Sequence, residues 1–291
     1  MRGLYQNYAS IRERIDAAAK RAGRDPEEIT LIAVSKTKPL EDIEELMASG
    51  VRDFGENKVQ ELAAKYDQIM EKAAGGVYGD FAGQAEAEKP EAVQSQGLEA
   101  EKPEAVQSQG QEAEKPKAVQ FQGMEAEGKP VRFHLIGHLQ RNKVKQVISR
   151  ACLIHSVDSL RLAQEIEKEA EKQGLSVNVL VEVNIGAEES KSGTTPETAP
   201  ELVRQIAELP HVHVKGLMCV APIVEDPEEA RPYFHRMKEL AAEIDAMGLA
   251  GVSMKELSMG MTADFEVAVE EGATFVRVGT AIFGHRDYAI Q

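Results

Sequence analysis

The sequence has few of the residues that stabilise secreted or metal-dependent proteins. Its 291 residues include no tryptophan and only two cysteines, Cys152 and Cys219, which lie far apart and outside any metal-ligand spacing. The seven histidines show no metal-binding spacing either. We therefore expect reduced thiols, no metal site and a cytoplasmic location.

Long hydrophobic runs and excess positive charge are also missing. No apolar stretch is long enough to cross a bilayer, and the charged, amphipathic N-terminus has no apolar signal-peptide core. The chain carries 34 basic and 49 acidic residues, a formal charge of −15, which argues against a nucleic-acid-binding surface. A small cationic pocket for a phosphate remains compatible with this balance, because a pocket is local.

Short apolar runs alternate with amphipathic helical patterns along most of the chain. A first helix is predicted from Leu4 to Gly23, and others over 39–50, 59–70, 159–173, 197–208, 227–247 and 263–271. Eight strands are predicted at 29–36, 51–57, 132–137, 152–157, 177–185, 212–220, 255–260 and 274–279. This pattern indicates an α/β fold with a parallel sheet, and eight units favour a single (β/α)8 barrel spanning residues 1–291. An open doubly wound sheet is the alternative.

Residues 74–130 interrupt the alternation. The motif EAEKP recurs every 13 residues, beginning at Glu86, Glu99 and Glu112, and a degenerate copy begins at Glu125. The segment is rich in Glu, Gln, Lys, Gly and Pro, so it cannot bury enough apolar surface to offset its ordering entropy. We predict a disordered insertion, with a partner-binding arm as the weaker alternative.

The insertion follows a helix and precedes the third strand. In a (β/α)8 barrel such connections lie at the end opposite the catalytic mouth. We therefore predict that the insertion takes no part in ligand binding.

Lys36 comes at the end of the first apolar strand. A lysine leaving a buried strand at the barrel mouth is a candidate Schiff-base amine, because desolvation lowers its pKa and frees the nucleophilic form. A lysine at a strand end is more often a solvated surface residue, and Lys38 is a second candidate close by.

Two glycine-containing turns follow the last two strands, in the segment from Leu257 to Gly284. Ser258, Gly260 and Thr262 come where the seventh strand passes into its helix, and Gly279 and Thr280 come just after the eighth. Loops at these places are the usual phosphate site in such barrels. Small residues let backbone N–H groups approach a phosphate. Two ordinary turns that need glycine would give the same pattern.

Arg277 lies at an alternating position of the eighth strand, where it is predicted to point into the barrel. An unpaired arginine would be costly there. Its partner is either a ligand or a carboxylate such as Asp264 or Glu266.

A set of motifs in fixed order resembles the pyridoxal phosphate homeostasis protein family. These motifs are AVSKTKP, FGENKVQE, FHLIGHLQRNK, VDS at 157–159, VEVNIGAEESKSG, GLMCVAP and the segment from Leu257 to Gly284. They cover nearly the whole chain except the repeat, which that family lacks; His138 is a second departure. The resemblance implies a barrel like the N-terminal domain of alanine racemase that binds pyridoxal 5′-phosphate (PLP).

The resemblance also implies roles for individual residues. Lys36 would form the Schiff base with PLP, and Arg277 would face the pyridine nitrogen. The phosphate would be held by Ser258, Gly260, Gly279 and Thr280, with Met259 and Thr262 nearby. Asn57, His134, Asn184 and Met218 would line the surroundings of the ring.

Binding without turnover is the function that the resemblance favours. An arginine at the ring nitrogen favours the unprotonated ring, a weaker electron sink. A racemase also needs a second proton-transfer group on the opposite ring face, which alanine racemases take from an added β domain; the chain ends just after its eighth unit. We expect a monomeric PLP carrier for intracellular PLP homeostasis, with apo forms of PLP-dependent enzymes as acceptors. The alternatives are an amino-acid racemase, a cofactor-free Schiff-base aldolase and an interaction module acting through the repeat.

Overall fold

Eight parallel strands form the centre of the structure. The computed structural model describes residues 3–75, 125–126, 129–188 and 191–284. The strands are β1 (Thr30–Val34), β2 (Asp53–Glu56), β3 (Arg132–Leu135), β4 (Ala151–Val157), β5 (Val177–Val183), β6 (Val212–Cys219), β7 (Glu256–Ser258) and β8 (Phe275–Val278). All eight were predicted, and most are one to three residues shorter than their apolar runs.

The sheet closes on itself as a barrel. Each strand pairs with its neighbours in the sequence, and β1 pairs with β8 through the parallel register of Thr30 with Phe275 and Ala33 with Val278. The predicted (β/α)8 architecture is confirmed, and the open doubly wound sheet is excluded because that arrangement leaves two unpaired edges.

Helices surround the barrel. They are α1 (Leu4–Arg21), α2 (Leu40–Ala48), α3 (Val59–Ala74), α4 (Val144–Val147), α5 (Leu160–Gln173), α6 (Ala199–Ile206), α7 (Arg231–Asp245), α8 (Phe265–Glu270) and α9 (Thr280–Phe283). The predicted helix over 227–247 is divided into a 3₁₀ turn at Pro227–Ala230 and α7, which has proline in its first turn. The extra helix α1 packs against α8 and α9, and Asn7 Nδ2 donates to the carbonyl oxygen of Ile282 at 2.9 Å.

Strand residues alternate between two apolar regions. Leu31, Ala33 and their counterparts on other strands point outward and join the helices in one large core. Inside the barrel a small separate cluster contains Leu153, Leu180 and Met218. The rest of the barrel interior includes buried polar groups, which are described below.

The insertion joins the barrel at the amino ends of its strands. α3 ends at Ala74 and β3 begins at Arg132. The backbone N–H of Arg132 donates to the carbonyl oxygen of Arg52, just before β2. A two-residue antiparallel ladder pairs Glu125–Ala126 with Lys129–Pro130. The EAEKP repeats, and with them the predicted disorder, otherwise lie outside the described part of the chain. The junction lies at the end of the barrel opposite Lys36, as predicted.

Candidate functional site

A cavity of about 310 Å³ opens at the carboxyl ends of the strands. It is lined by Val34, Lys36, Lys38, Asn57, Ile136, Val220, Met261, Thr262, Arg277, Gly279, Thr280 and Gly284. Its volume is at the lower end of the range for small-molecule sites, roughly 300–1,000 Å³. The mouth of the barrel therefore offers room for one small ligand among several cations.

Lys36 is held at this mouth by a constrained turn. Thr37, the next residue, has a φ of 64°, a left-handed conformation that a β-branched residue rarely adopts. The Thr37 N–H donates to Glu61 Oε1 at 2.5 Å, and the Lys38 N–H donates to the Ser35 carbonyl at 3.0 Å. These bonds stabilise a strained backbone at the candidate amine, as is common at functional sites.

A buried ion pair supports the same turn from below. Lys65 Nζ donates to the Ser35 carbonyl at 2.8 Å and to carboxylate oxygens of Glu56 and Glu61 at 2.7 Å each. The Ser35 hydroxyl donates to Glu56 at 2.6 Å. Burial raises the pKa of Glu56, and Lys65 opposes that shift. The position of Lys36 thus depends on charges from β2 and α3.

The two glycine turns lie beside one another at the carboxyl ends of β7 and β8. Gly260 has a φ of 89°, and a Cβ there would lie 2.5 Å from the Cβ of Ala268. A Cβ on Gly279 would lie 3.3 Å from Val34 Cβ. The N–H groups that open α9 have no acceptor within that helix, as at any helix start. With Lys36 and Lys38 in the same cavity, this donor set fits an anionic group such as a phosphate.

Arg277 is buried inside the barrel, as its alternating position predicted. Its Nη1 donates to Ser258 Oγ at 2.6 Å, and its Nη2 donates to the Cys219 carbonyl at 2.8 Å. Burial lowers the pKa of Arg277, and nearby Cys219, Asp264 and Glu182 oppose that effect.

The two carboxylates considered as its partners have other roles. Glu266 forms ion pairs with Arg14 at 2.7 Å and Arg21 at 3.1 Å, so the expectation that it pairs with Arg277 is wrong. Asp264 accepts from the Met261 N–H at 2.6 Å and influences Arg277 only through its charge.

Six of the twelve predicted site residues line the cavity: Lys36, Asn57, Thr262, Arg277, Gly279 and Thr280. Gly260 lies at the turn beside it, where its carbonyl accepts from the Arg277 N–H at 3.0 Å. These seven residues lie together at the carboxyl ends of the strands, and their roles toward a ligand stay predictions.

The other five predicted residues lie elsewhere. Ser258, His134 and Met218 are buried in the barrel interior and are absent from the cavity lining. Met259 is fully buried in the outer core between strands and helices, because it alternates with Ser258. Asn184 holds the following loop: its Nδ2 donates to the Glu188 carbonyl at 2.8 Å, and its Oδ1 accepts from the Glu188 N–H at 3.2 Å.

Several lining residues were not predicted from the sequence. Val34, Ile136 and Val220 supply apolar walls, and Met261 supplies part of the rim. Each lies at or just beyond the carboxyl end of a strand, so counting inward-facing positions to the end of each run could have found them.

Glu182 on β5 was also overlooked. It lies two residues after Leu180 and therefore on the same inward-pointing face of the strand, and its Oε2 is buried without a hydrogen-bond partner in the described parts of the chain. Burial and the charge of Asp158 raise the pKa of Glu182 to about 7, and Arg277 opposes this. The barrel interior therefore contains a carboxyl group that titrates near neutral pH.

Within residues 3–75, 125–126, 129–188 and 191–284, no cluster of three His, Cys, Asp or Glu side chains is arranged to hold a metal ion. Over the same residues, no helix has the length and apolar character needed to span a membrane.

Comparison with known proteins agrees with this architecture. Residues 6–287 match the model of the alanine racemase N-terminal domain family. The pyridoxal phosphate homeostasis protein of Aquifex aeolicus is 38% identical, over 97% of this chain and 98% of its own length. A solved structure of an unknown protein from Bifidobacterium adolescentis is 33% identical and superposes with a TM-score of 0.75, covering 97% of this chain and 95% of that one.

One solved relative contains a ligand. PipY of Synechococcus elongatus, with PLP bound, is 28% identical and superposes with a TM-score of 0.65, covering 94% of this chain and all of its own, 100%. The motifs, the closed barrel and the nearly full-length similarity lead to one assignment. The chain belongs to the pyridoxal phosphate homeostasis protein family.

Proposed function

We propose that the cavity at the barrel mouth binds PLP and that Lys36 Nζ forms a Schiff base with its aldehyde. The observation that carries the proposal is the convergence of Lys36, Arg277 and the turns at Gly260 and Gly279 on one small cavity. PLP supplies an aldehyde, a phosphate and an aromatic ring nitrogen, and the chain offers groups suited to each. The PLP-bound structure of PipY supports the same ligand.

Each group has a defined task in this proposal. The strained turn positions the Lys36 amine, which in its neutral form would condense with the aldehyde and release one water. The N–H groups after β7 and β8 would hold the phosphate, with Lys38 adding positive charge. Arg277 would donate to the ring nitrogen and favour its unprotonated form, so the bound ring would be a weak electron sink.

We further propose that the chain stores PLP for apo forms of PLP-dependent enzymes, without turnover of its own. A racemase needs a second acid–base group on the ring face opposite the lysine. Among the described residues, Tyr8, Tyr66 and Tyr233 pack against the outer core and Tyr5 is exposed on α1. None of them can serve that role at the mouth.

A racemase-like activity is the second candidate function, because Glu182 could supply the missing group. It projects from β5, across the barrel from β1, and the pKa of about 7 suits proton transfer at neutral pH. Incubation with L- or D-alanine in D₂O, read by loss of the α-proton signal, distinguishes storage from turnover. Storage predicts no exchange above that of free PLP.

The test of the binding proposal uses Lys36→Ala with Lys38→Ala as the matched control. At saturating PLP, wild type and Lys38→Ala should both show the absorption band of a protein-bound Schiff base near the visible edge, because the Lys38 charge affects affinity and not the Schiff base itself; Lys36→Ala should lack the band. Borohydride reduction followed by peptide mass spectrometry should place the PLP adduct on Lys36. A band of full strength in Lys36→Ala, or an adduct on Lys38, would overturn the assignment.

A further inference from the structure

A continuous line of hydrogen-bonded side chains crosses the barrel interior beneath the cavity. Arg277 Nη1 donates to Ser258 Oγ, and that oxygen lies 2.9 Å from His155 Nδ1. His155 Nε2 in turn lies 3.0 Å from His134 Nδ1. Four strands, β8, β7, β4 and β3, contribute one group each.

The line continues to the amino ends of the strands. His134 Nε2 lies 3.0 Å from Asp53 Oδ1, and Arg132 donates to both oxygens of Asp53 at 2.7 and 2.6 Å. The side chain of Arg132 is 49% exposed. A guanidinium that lines the cavity is therefore connected to solvent at the opposite end of the barrel.

The inner members are shielded from water. His134, His155, Ser258 and Arg277 are all buried, and Phe275 packs against both imidazoles with ring centroids 5.6 Å apart in each case. Barrel interiors are ordinarily filled by branched aliphatic side chains, which carry no desolvation cost. A fully connected polar line in this place indicates a role beyond filling space.

Of the two buried imidazoles, only His134 carries the additional proton that makes a cation. Burial disfavours the His134 cation, but Cys152 and Asp53 outweigh this and raise the pKa of His134 to about 9. Burial, His134 and Arg277 hold the pKa of His155 well below its usual range. At neutral pH the cation is His134, so its Nδ1–H donates to His155 Nε2, and His155 Nδ1–H donates to Ser258.

Release of one proton to solvent reverses the direction of the hydrogen bonds along the line, because His155 takes the Nδ1 proton of His134 on its Nε2 and gives up its own Nδ1 proton. Neutral His134 keeps Nε2–H toward Asp53, and its Nδ1 then accepts from His155 Nε2–H. His155 Nδ1 must now accept from the Ser258 hydroxyl. Ser258 changes from acceptor to donor toward His155 without movement of a heavy atom, while it still accepts from Arg277.

We propose that this line, from Asp53 through His134, His155 and Ser258 to Arg277, is a hydrogen-bond relay: the protonation state of His134 sets the donor and acceptor roles along it and thereby how strongly Arg277 donates at the cofactor site. The inference rests on the proposed function, in which Arg277 faces the ring nitrogen. With His134 charged, Ser258 accepts from both neighbours. With His134 neutral, the Ser258 hydroxyl polarises toward His155, Ser258 becomes a stronger acceptor for Arg277, and Arg277 donates less strongly to the ring.

Other titratable groups face the relay and must be controlled. Cys152 Sγ lies 3.5 Å from His134 Nε2, and Tyr8 on α1 interacts with Asp53 through charge. Arg277 is influenced by Cys219, Asp264 and Glu182. A variant at Cys152 distinguishes the effect of the His134 imidazole from that of the neighbouring thiol. Glu182 is distinguished by its pKa of about 7, which is lower than the pKa of about 9 for His134.

The first experiment needs no cofactor. Long-range ¹⁵N–¹H NMR of the histidine rings in the PLP-free protein should show His134 doubly protonated and His155 as the Nδ1–H tautomer at pH 7. His155 should change to the Nε2–H tautomer as pH rises through about 9. A His155 tautomer that stays constant while His134 titrates would overturn the relay.

The second experiment measures the effect of His134 on the absorption spectrum of bound PLP. The spectrum of PLP-bound wild type should change with the midpoint of His134, and in Cys152→Ser the same spectral change should occur at lower pH, because Cys152 contributes to the raised pKa of His134. His213→Gln, a histidine variant on β6 outside the line, should match wild type. Asp53→Asn, which leaves both imidazoles in place, should lower the midpoint by at least about one pH unit, since the cation loses its carboxylate.

The two proposals fail in different ways. If PLP does not bind at Lys36, the proposed function fails, while tautomer reversal in the PLP-free protein would still support the line up to Ser258. If PLP binds and its spectrum is unchanged across the His134 midpoint, or changes equally in Asp53→Asn, the relay is overturned and PLP binding stands.

Discussion

At the residue scale, the site depends on groups held in unfavourable states. Thr37 has a left-handed backbone, Arg277 is a buried guanidinium, and Glu182 has a buried Oε2 that lacks a hydrogen-bond partner among the described residues. Each costs free energy that the surrounding barrel must offset. Such costs are expected where a site must be rigid before its ligand arrives.

Replacing Thr37 by glycine should stabilise the fold and loosen the site. Glycine adopts a φ of 64° freely, so we expect the free energy of unfolding to rise by about 1 kcal/mol. PLP should bind less tightly, because the turn that positions Lys36 becomes flexible. Urea denaturation and PLP titration measure the two effects. Thr37→Ala is the matched control: it keeps the Cβ, and equal stability of both variants would show that the turn is unstrained.

Glu182→Gln should change how stability depends on pH. The pKa of Glu182 is raised from 4.5 to about 7, so the folded state favours the protonated carboxyl. Its contribution is complete below pH 4.5 and is lost as pH rises through 7. At pH 8 the glutamine variant should be more stable than wild type, on the order of 2 kcal/mol, and at pH 4 the two should be similar.

Denaturation at both pH values measures this difference. Glu188→Gln in the following loop is the control, since Glu188 pairs with Lys191 at 2.6 Å near the surface. A pH-independent difference between wild type and Glu182→Gln would contradict a raised pKa.

At the element scale, close packing of turns against helices sets the shape of the cavity and of the two glycine turns beside it. The turn after β7 approaches α8 so closely that only glycine fits at position 260. The loop after β3 is equally tight, since a Cβ on Gly137 would lie 2.4 Å from the Asn57 carbonyl oxygen. These contacts fix the distance between neighbouring strand ends, and with it the width of the mouth.

Gly260→Ala and Ala268→Gly should have non-additive effects on the free energy of unfolding. The methyl group added at position 260 clashes with Ala268, and alanine must also adopt the left-handed φ of this position. We therefore expect Gly260→Ala to lower the free energy of unfolding by about 2–4 kcal/mol. Ala268→Gly alone should cost about 1 kcal/mol, because glycine weakens a helix. In the double variant the clash is relieved, so the combined loss should be smaller than the sum by at least about 1 kcal/mol. Additive losses would mean that backbone strain alone accounts for the effect of Gly260→Ala.

Elements were predicted well from local pattern, and contacts between elements less well. Apolar runs such as CLIHSV identify strands because burial on both faces leaves few polar positions. Lys36 and Gly279 were found because they follow such runs directly. Ser258 and His134 were placed in the ligand site, yet they contact Arg277 and His155, since pairing across the barrel depends on register and stagger that no local pattern encodes. The short helices α4 and α9 were missed because each has only four residues.

At the scale of the whole molecule, the two ends of the barrel are chemically distinct. The carboxyl ends carry Lys36, Lys38 and Arg277 in an otherwise acidic chain of net charge −15. The amino ends carry the Asp53–Arg132 ion pair and the junction with the insertion. Three basic side chains in one small cavity favour an anionic ligand there over the rest of an acidic surface.

Deleting residues 80–128 should leave the fold and PLP binding intact. The junction at α3 and β3 is separated from Lys36 by the length of the barrel, and lengthening or shortening a surface connection costs little entropy. Circular dichroism, thermal unfolding and the PLP absorption band measure the outcome. A folded deletion variant that no longer binds PLP would show that the insertion contributes to the site; Lys36→Ala in the same background is the negative control.

The closure of β1 against β8 has a consequence for biosynthesis. Lys36 follows the first strand and Gly279 the last, so the proposed PLP site includes residues from both sides of the β1–β8 pairing that closes the barrel. A nascent chain still lacking β8 has the amine but neither Arg277 nor the second turn of the phosphate cradle. Because chains fold as they leave the ribosome, PLP capture at the proposed site must wait until β8 has been synthesised. Cofactor binding would then report that the whole barrel has been synthesised and closed.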